Sequence, residues 1–284
     1  MKHYFPLLAI VFVSMIVVAC SDDDTNTPVV NVAYEQASAT KGGILYDHFW
    51  STEGGFDQTN ANLAKFNASA DFFRCKQCHG WDLLGTAGSY NNRGPKASRP
   101  NISSLNLYQI AHTKTAQELF DAMKTAPNRR DISYDLALYN PSTNSTEGDK
   151  MPNYAQILTD AQLWDLVKFM KEGAFDVAQL YDATYTGTYP TGSTKFNNVG
   201  RDGNAANGVA YFNTKCAICH GSNGTTIELE GMTAGKFVRS KANEAQHKIR
   251  FGQLGSVMLG NFDISLSQTK DLYKAMADTT NFPN

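Results

Sequence analysis

The chain has little that would let it cross a membrane, grip a nucleic acid or brace itself with disulfides. Beyond residue 19 no apolar run approaches the roughly 20 residues needed to span a bilayer. No lysine- or arginine-rich block occurs, and 25 basic residues mixed among 27 acidic ones leave a net charge of −2. Nucleic acid is therefore set aside as a partner. Cysteine is confined to Cys20, Cys75, Cys78, Cys216 and Cys219, and proline is missing between Thr191 and Phe282.

What is present begins with a targeting signal. Lys2 and His3 precede an apolar run over 5–19, too short for a bilayer span but suited to a secretory h-region. The run ends in Val17-Val18-Ala19-Cys20. This resembles the lipobox of bacterial lipoprotein signal peptides, although leucine is commonest where Val17 stands. The resemblance implies removal of residues 1–19 and lipidation of Cys20, with an ordinary signal peptide as the alternative. The polar stretch Ser21-Asp22-Asp23-Asp24-Thr25-Asn26-Thr27-Pro28 cannot bury enough apolar surface to order itself, so 20–40 reads as a flexible, lipid-anchored tether. Its acidic run also resembles the surface-export signals of some Gram-negative lipoproteins. The expected location is outside the cytoplasm, on a membrane facing the periplasm or the cell surface.

The other four cysteines form Cys75-Lys76-Gln77-Cys78-His79 and Cys216-Ala217-Ile218-Cys219-His220. Both are the C-x-x-C-H signature of c-type haem attachment, in which two thiols form thioethers and the histidine donates an axial nitrogen to iron. A four-cysteine zinc site wants its pairs roughly 15–20 residues apart, far closer than these. A thioredoxin-like pair needs a βαβ setting, and disulfides would not place a histidine after each pair. The expected cofactors are two covalently bound haem c groups, held by Cys75, Cys78 and His79 and by Cys216, Cys219 and His220.

Two tandem domains follow from the flanks. Gly208, Phe212 and Cys216 fall on one helical face, and this resembles the N-terminal helix of class I cytochromes c. In that family the glycine permits a close crossing with the C-terminal helix. Residues 266–277 supply such a helix through Leu266, Leu272, Tyr273 and Met276, with Ser265 or Ser267 as N-cap. In the first half Leu163, Leu166, Val167 and Met170 repeat at helical spacing between Thr159-Asp160, a start signal, and Gly173, a stop. Gly42-Gly43-Ile44-Leu45-Tyr46-Asp47-His48-Phe49-Trp50, with the arginine-preceded motif over 74–82, resembles a set of bacterial multihaem cytochromes. The expected fold is mainly α, with two cytochrome c-like helical haem domains and long loops, over 41–175 and 196–284. A Tyr-, Thr-, Gly- and Pro-rich connector over 176–195 would join them.

The second axial ligands follow the class I resemblance. Met151, followed by Pro152 shortly before the C-terminal helix, resembles that family's axial loop; Met123, His112 and His48 are its competitors. Met258 stands at the corresponding place in the second half without a following proline, and Met232 and His247 compete with it. Gly94-Pro95 resembles the pair whose carbonyl fixes the proximal histidine, with Pro100 as rival, whereas the second half has no such proline.

Met/His ligation closes both axial positions, which suits outer-sphere electron transfer and no catalytic residue. The expected function is electron transfer between donor and acceptor redox proteins, tethered to a membrane through Cys20. The rival is a dihaem oxidoreductase resembling bacterial peroxidases, with an open second haem. Resemblance to dihaem thiosulfate dehydrogenases fails for want of a spare thiol, and a sensor or electron-delivery module is a third class.

Overall fold

The computed structural model describes residues 31–143 and 146–284. The apolar run over 5–19, Cys20 and the acidic stretch after it lie outside the described residues. The first seven helices are α1 (Val32–Gln36), α2 (Ala39–His48), α3 (Leu63–Ala68), α4 (Cys75–His79), α5 (Leu107–Thr113), α6 (Ala116–Lys124) and α7 (Asp160–Lys168). A hairpin of β1 (Asp182–Thr186) and β2 (Ser193–Asn197) follows. The chain ends with α8 (Ala205–Lys215), α9 (Ala217–His220), α10 (Ala234–Ser240), α11 (Ala242–Phe251) and α12 (Leu266–Met276). The class is mainly helical, as expected. Among the described residues no helix is long and apolar enough to cross a membrane.

Two helix crossings organise these elements, α2 against α7 and α8 against α12. Each turns on one glycine. A Cβ on Gly42 would lie 1.9 Å from the Asp165 carbonyl oxygen, and one on Gly208 would lie 1.9 Å from that of Asp271. Only a residue with no side chain lets two backbones approach so closely. The likeness extends to the helix ends. The N-cap of α2, Ser38, donates its backbone N–H to Asp165 Oδ1 at 2.6 Å; the N-cap of α8, Asn204, donates its own to Asp271 Oδ1 at 2.7 Å. Both α7 and α12 open with a capping box, Thr159 with Gln162 and Ser265 with Gln268, which satisfies end groups that the helix itself leaves unpaired. After Lys168 the chain makes a π-helical turn (Phe169–Gly173) and then becomes extended at Ala174.

The halves fill their cores differently. Between α2 and Cys75 the first half folds back an aromatic stretch in which Phe49, Trp50, Phe56, Phe66 and Phe73 meet at centroid distances of 4.7–6.0 Å. The second core gathers Phe212, Phe237, Leu272, Tyr273, Met276 and Phe282. Phe251, at the end of α11, is buried in the first core.

Two expectations about the linking segments need correcting. Residues 32–40, assigned to a flexible tether, carry α1 and the start of α2. The Tyr34 ring packs edge-on against Trp164, 6.2 Å between centroids, and its hydroxyl donates to Glu172 at 2.5 Å, which gives this polar segment a place to dock. The connector over 176–195 is not simply extended: it holds a short turn and most of the antiparallel β1–β2 hairpin, with Val177, Leu180 and Tyr181 in the second core. Asn91 from the first half donates to the carbonyls of Thr186 and Ser193 and accepts from Thr194 Oγ1.

Candidate functional site

In the first half the C-x-x-C-H segment is itself a helix, α4. Arg74 leads into it with extended backbone, and Gly80 ends it at φ +76°, a left-handed cap that glycine supplies without steric cost. Cys75, Cys78 and His79 line one cavity of about 440 Å³, together with Met151, Pro152 and Tyr154. Burial pushes the Cys75 thiol up to about 12 and the Cys78 thiol up to about 11, and pulls His79 down to about 4 with help from Arg129. Near neutral pH the cavity therefore offers two protonated thiols and an uncharged imidazole, the state in which histidine can ligate a metal. His79 Nδ1 is buried without a hydrogen-bond partner.

The Met151 loop is held by a residue that no sequence signal marks. Arg130 donates its backbone N–H to the Met151 carbonyl at 2.8 Å, and its own carbonyl accepts from Asn153 N–H at 2.8 Å. Its guanidinium, 1 % exposed, donates to the carbonyls of Gly148 at 2.8 Å, Lys150 at 3.3 Å and Phe72. Five planar donors suit one arginine to such a cluster of carbonyls. Pro152 adds a fixed φ on the other side of Met151. Tyr154 donates its hydroxyl to the Phe73 carbonyl at 2.5 Å and lies 3.7 Å from Cys75 Sγ, tying this loop to α4.

The second half repeats the attachment geometry. Cys216 stands as N-cap of α9, and Gly221 ends that helix at φ +74°, ψ 162°, against +76° and 162° at Gly80. Cys216, Cys219, His220 and Met258 line a cavity of about 480 Å³. Burial pushes Cys216 up to about 11 and lowers His220, whose Nδ1 is again buried without a partner. The Met258 loop is held more lightly. Met258 N–H donates to Ser256 Oγ at 3.1 Å, and its carbonyl accepts from Gln253 N–H at 3.1 Å. Ile218, Val257 and Leu259 on the rim of this cavity are 93 %, 88 % and 86 % exposed.

Of the sequence-predicted ligands, Met151 thus shares a cavity with His79, and Met258 shares one with His220. The competitors stand elsewhere. Met123 is in the first core; His112 lies on α5 with Nδ1 at 2.8 Å from the Tyr108 carbonyl; His48 packs edge-on against Trp50 at 4.3 Å. Met232 pairs its backbone with Leu229 and packs against the second core. His247 is 1 % exposed, its Nε2 3.0 Å from the Gly43 carbonyl and its ring 4.7 Å from that of Trp81, so it joins the halves. The Gly94 carbonyl, expected to fix His79, accepts from Arg99 Nε at 3.0 Å, and His79 Nδ1 has no partner among the described residues.

Residues 66–174 match the family model for cytochrome c. This segment is a cytochrome c domain. It contains α4, the Met151 loop and α7, and it implies at least one covalently attached haem c, at the Cys75 and Cys78 pair, serving electron transfer. No curated protein and no solved structure matches the chain. The cytochrome c match begins at residue 66, after α2 and within the aromatic stretch. The residues of the first cavity fit the group: two thiols one turn apart, a neutral imidazole beside them and a thioether sulfur lining the same cavity. Among the described residues no three His, Cys, Asp or Glu side chains converge as a bare metal cage.

Proposed function

We propose that the chain is a dihaem c-type cytochrome that passes electrons between redox proteins outside the cytoplasm, held at a membrane surface by a lipid on Cys20. The observation that carries the second haem is repetition. The Cys216, Cys219 and His220 motif sits beside a glycine-gated helix crossing and ends in the same left-handed glycine turn as its counterpart. Met258 lines its cavity as Met151 lines the first.

Bound haem supplies a one-electron iron couple. The chain's own residues do the rest. Four cysteines hold two such groups covalently, so retention does not depend on affinity in an open compartment. His79 and His220 offer neutral nitrogen, and Met151 and Met258 offer soft sulfur, a pairing that raises potential relative to two histidines. Arg130 and Pro152 keep the Met151 loop in one arrangement, which favours electron exchange with little reorganisation. The exported location rests on the segment over 5–19, and the anchor on the residues around Cys20.

The test is an optical redox titration of the mature soluble part, with covalent haem counted on the same sample. Two haems per chain, both low-spin and both with the weak charge-transfer band of sulfur-ligated ferric iron, are expected. One haem per chain would overturn the dihaem reading. A second haem that is high-spin, or of low potential without that band, would overturn Met258 ligation and favour an oxidoreductase with an open site.

A further inference from the structure

The stretches 42–50 and 74–82, whose side chains the haem reading leaves partly without a role, meet at Asp47. This carboxylate, on α2, is 1 % exposed. Arg74 closes on it from one side, with Nε donating to the Asp47 carbonyl at 2.6 Å and Nη2 paired with Oδ1. From the other side Lys248, on α11, brings Nζ to 3.9 Å from Oδ2, while Glu244, one turn back on the same helix, holds that ammonium at 3.7 Å. The two cations belong to different sites. Arg74 lines the first cavity immediately ahead of Cys75. Lys248 lines a smaller void of about 50 Å³ that shares Cys216, His220 and Met258 with the second cavity.

The surroundings keep this contact fixed and dry. The Trp81 ring carries the Lys248 ammonium at 4.9 Å and the Lys76 ammonium at 4.3 Å from its centroid. Gln246 Nε2 donates to the Trp81 carbonyl at 3.0 Å, and Asn243 Nδ2 donates to Ser89 Oγ at 2.7 Å. Buried charges act at a low effective dielectric and are screened little by salt, so their fields reach neighbouring groups that surface charges do not. A carboxylate near an iron favours its ferric state; a cation favours the ferrous state.

We propose that Asp47 is the counter-ion shared by both haem sites, and that the α2–α11 contact ties their reduction potentials together. This rests on the dihaem reading. The chemistry is electrostatic only: Asp47 exchanges no proton and ligates no iron, and it sets potentials by balancing Arg74 at one site and Lys248 at the other.

The experiment measures both midpoint potentials and the covalent haem count of the full mature protein in Asp47→Asn and Lys248→Met. Asp47→Asn should move both potentials upward. Lys248→Met should move the second potential downward and leave the first nearly in place. A shift confined to the first haem in Asp47→Asn overturns the proposal. Shifts of one sign in both variants also overturn it, since they report loosened packing and not charge. If Asp47→Asn fails to fold, Lys248→Met decides alone, and an unmoved second potential refutes the shared counter-ion. One haem per chain in the unmodified protein would fail the dihaem reading itself, a result the haem count separates from the others.

Discussion

The two halves of the molecule use one frame and treat it in opposite ways. In the second, α8 runs almost directly into Cys216; in the first, a folded aromatic stretch separates α2 from Cys75. The crossing glycine, the capped aspartate contact and the left-handed turn after the motif survive that insertion unchanged. What differs is the methionine loop, clamped by a buried arginine in one half and held by two hydrogen bonds beside exposed apolar residues in the other. The constant parts are those where backbone meets backbone, and the variable parts are those that a side chain can hold from a distance.

The sharpest way to break the comparison is at the crossings. Gly42→Ala and Gly208→Ala each force a methyl into a carbonyl oxygen 1.9 Å away. Alanine's better helix propensity returns only about 1 kcal/mol, so each should lower stability by roughly 2 kcal/mol net, within the usual cost of overpacking. Denaturant titration should give similar losses for the two variants, and a loss in one alone would end the equivalence of the crossings. Next comes Arg130→Met, which strips three buried carbonyls of their donor and should cost on the order of 2 kcal/mol. The charge-transfer band of the first haem should weaken while, on the dihaem reading, the share from Met258 stays, so a band that persists in full would mean Arg130 does not hold the Met151 loop.

Acid should separate the halves by a similar amount. Burial alone would raise the Asp47 carboxyl, but Arg74, then His247 and Lys248, outweigh it and hold it down to about 2. A carboxyl lowered on folding contributes stability that is fully present above its ordinary value near 4, and that is lost as pH falls through 2. The contribution is on the order of 2 kcal/mol. In Asp47→Asn the loss of stability between pH 4 and pH 2 should be correspondingly shallower. The smallest effect sharpens the likeness. Thr159→Ala and Ser265→Ala each remove one capping box and should cost about 1 kcal/mol apiece in thermal or denaturant unfolding.

Much of this was legible in the sequence because it is written in local spacing. The C-x-x-C-H segments, the start signals at Thr159 and Ser265 and the crossing role of Gly208 depend on residues a few positions apart. Met151 and Met258 were placed by their position ahead of the last helix of each half, and both line the cavities in question. What was not legible depends on distant partners. No local pattern marks Arg130, the second of two adjacent arginines, because its three carbonyl acceptors come from residues 72, 148 and 150. Tyr34 docks α1 through Trp164 and Glu172, more than a hundred residues away. Gly94-Pro95 matched a family pattern, yet Arg99 competes locally for the same carbonyl.

The hairpin between the halves bears on how the molecule is taken apart. Its strands are pinned to Asn91, and Phe251 from the later half is buried in the earlier core. A protease can reach the exposed hairpin tip at Gly187, Thr188 and Thr191, but a cut there leaves the halves joined through Asn91 and Phe251. Pulled apart, each fragment would carry an exposed hydrophobic wound where the other had been. The halves consequently stand or fall together, and a deletion that removes one of them must first rebuild that buried seam.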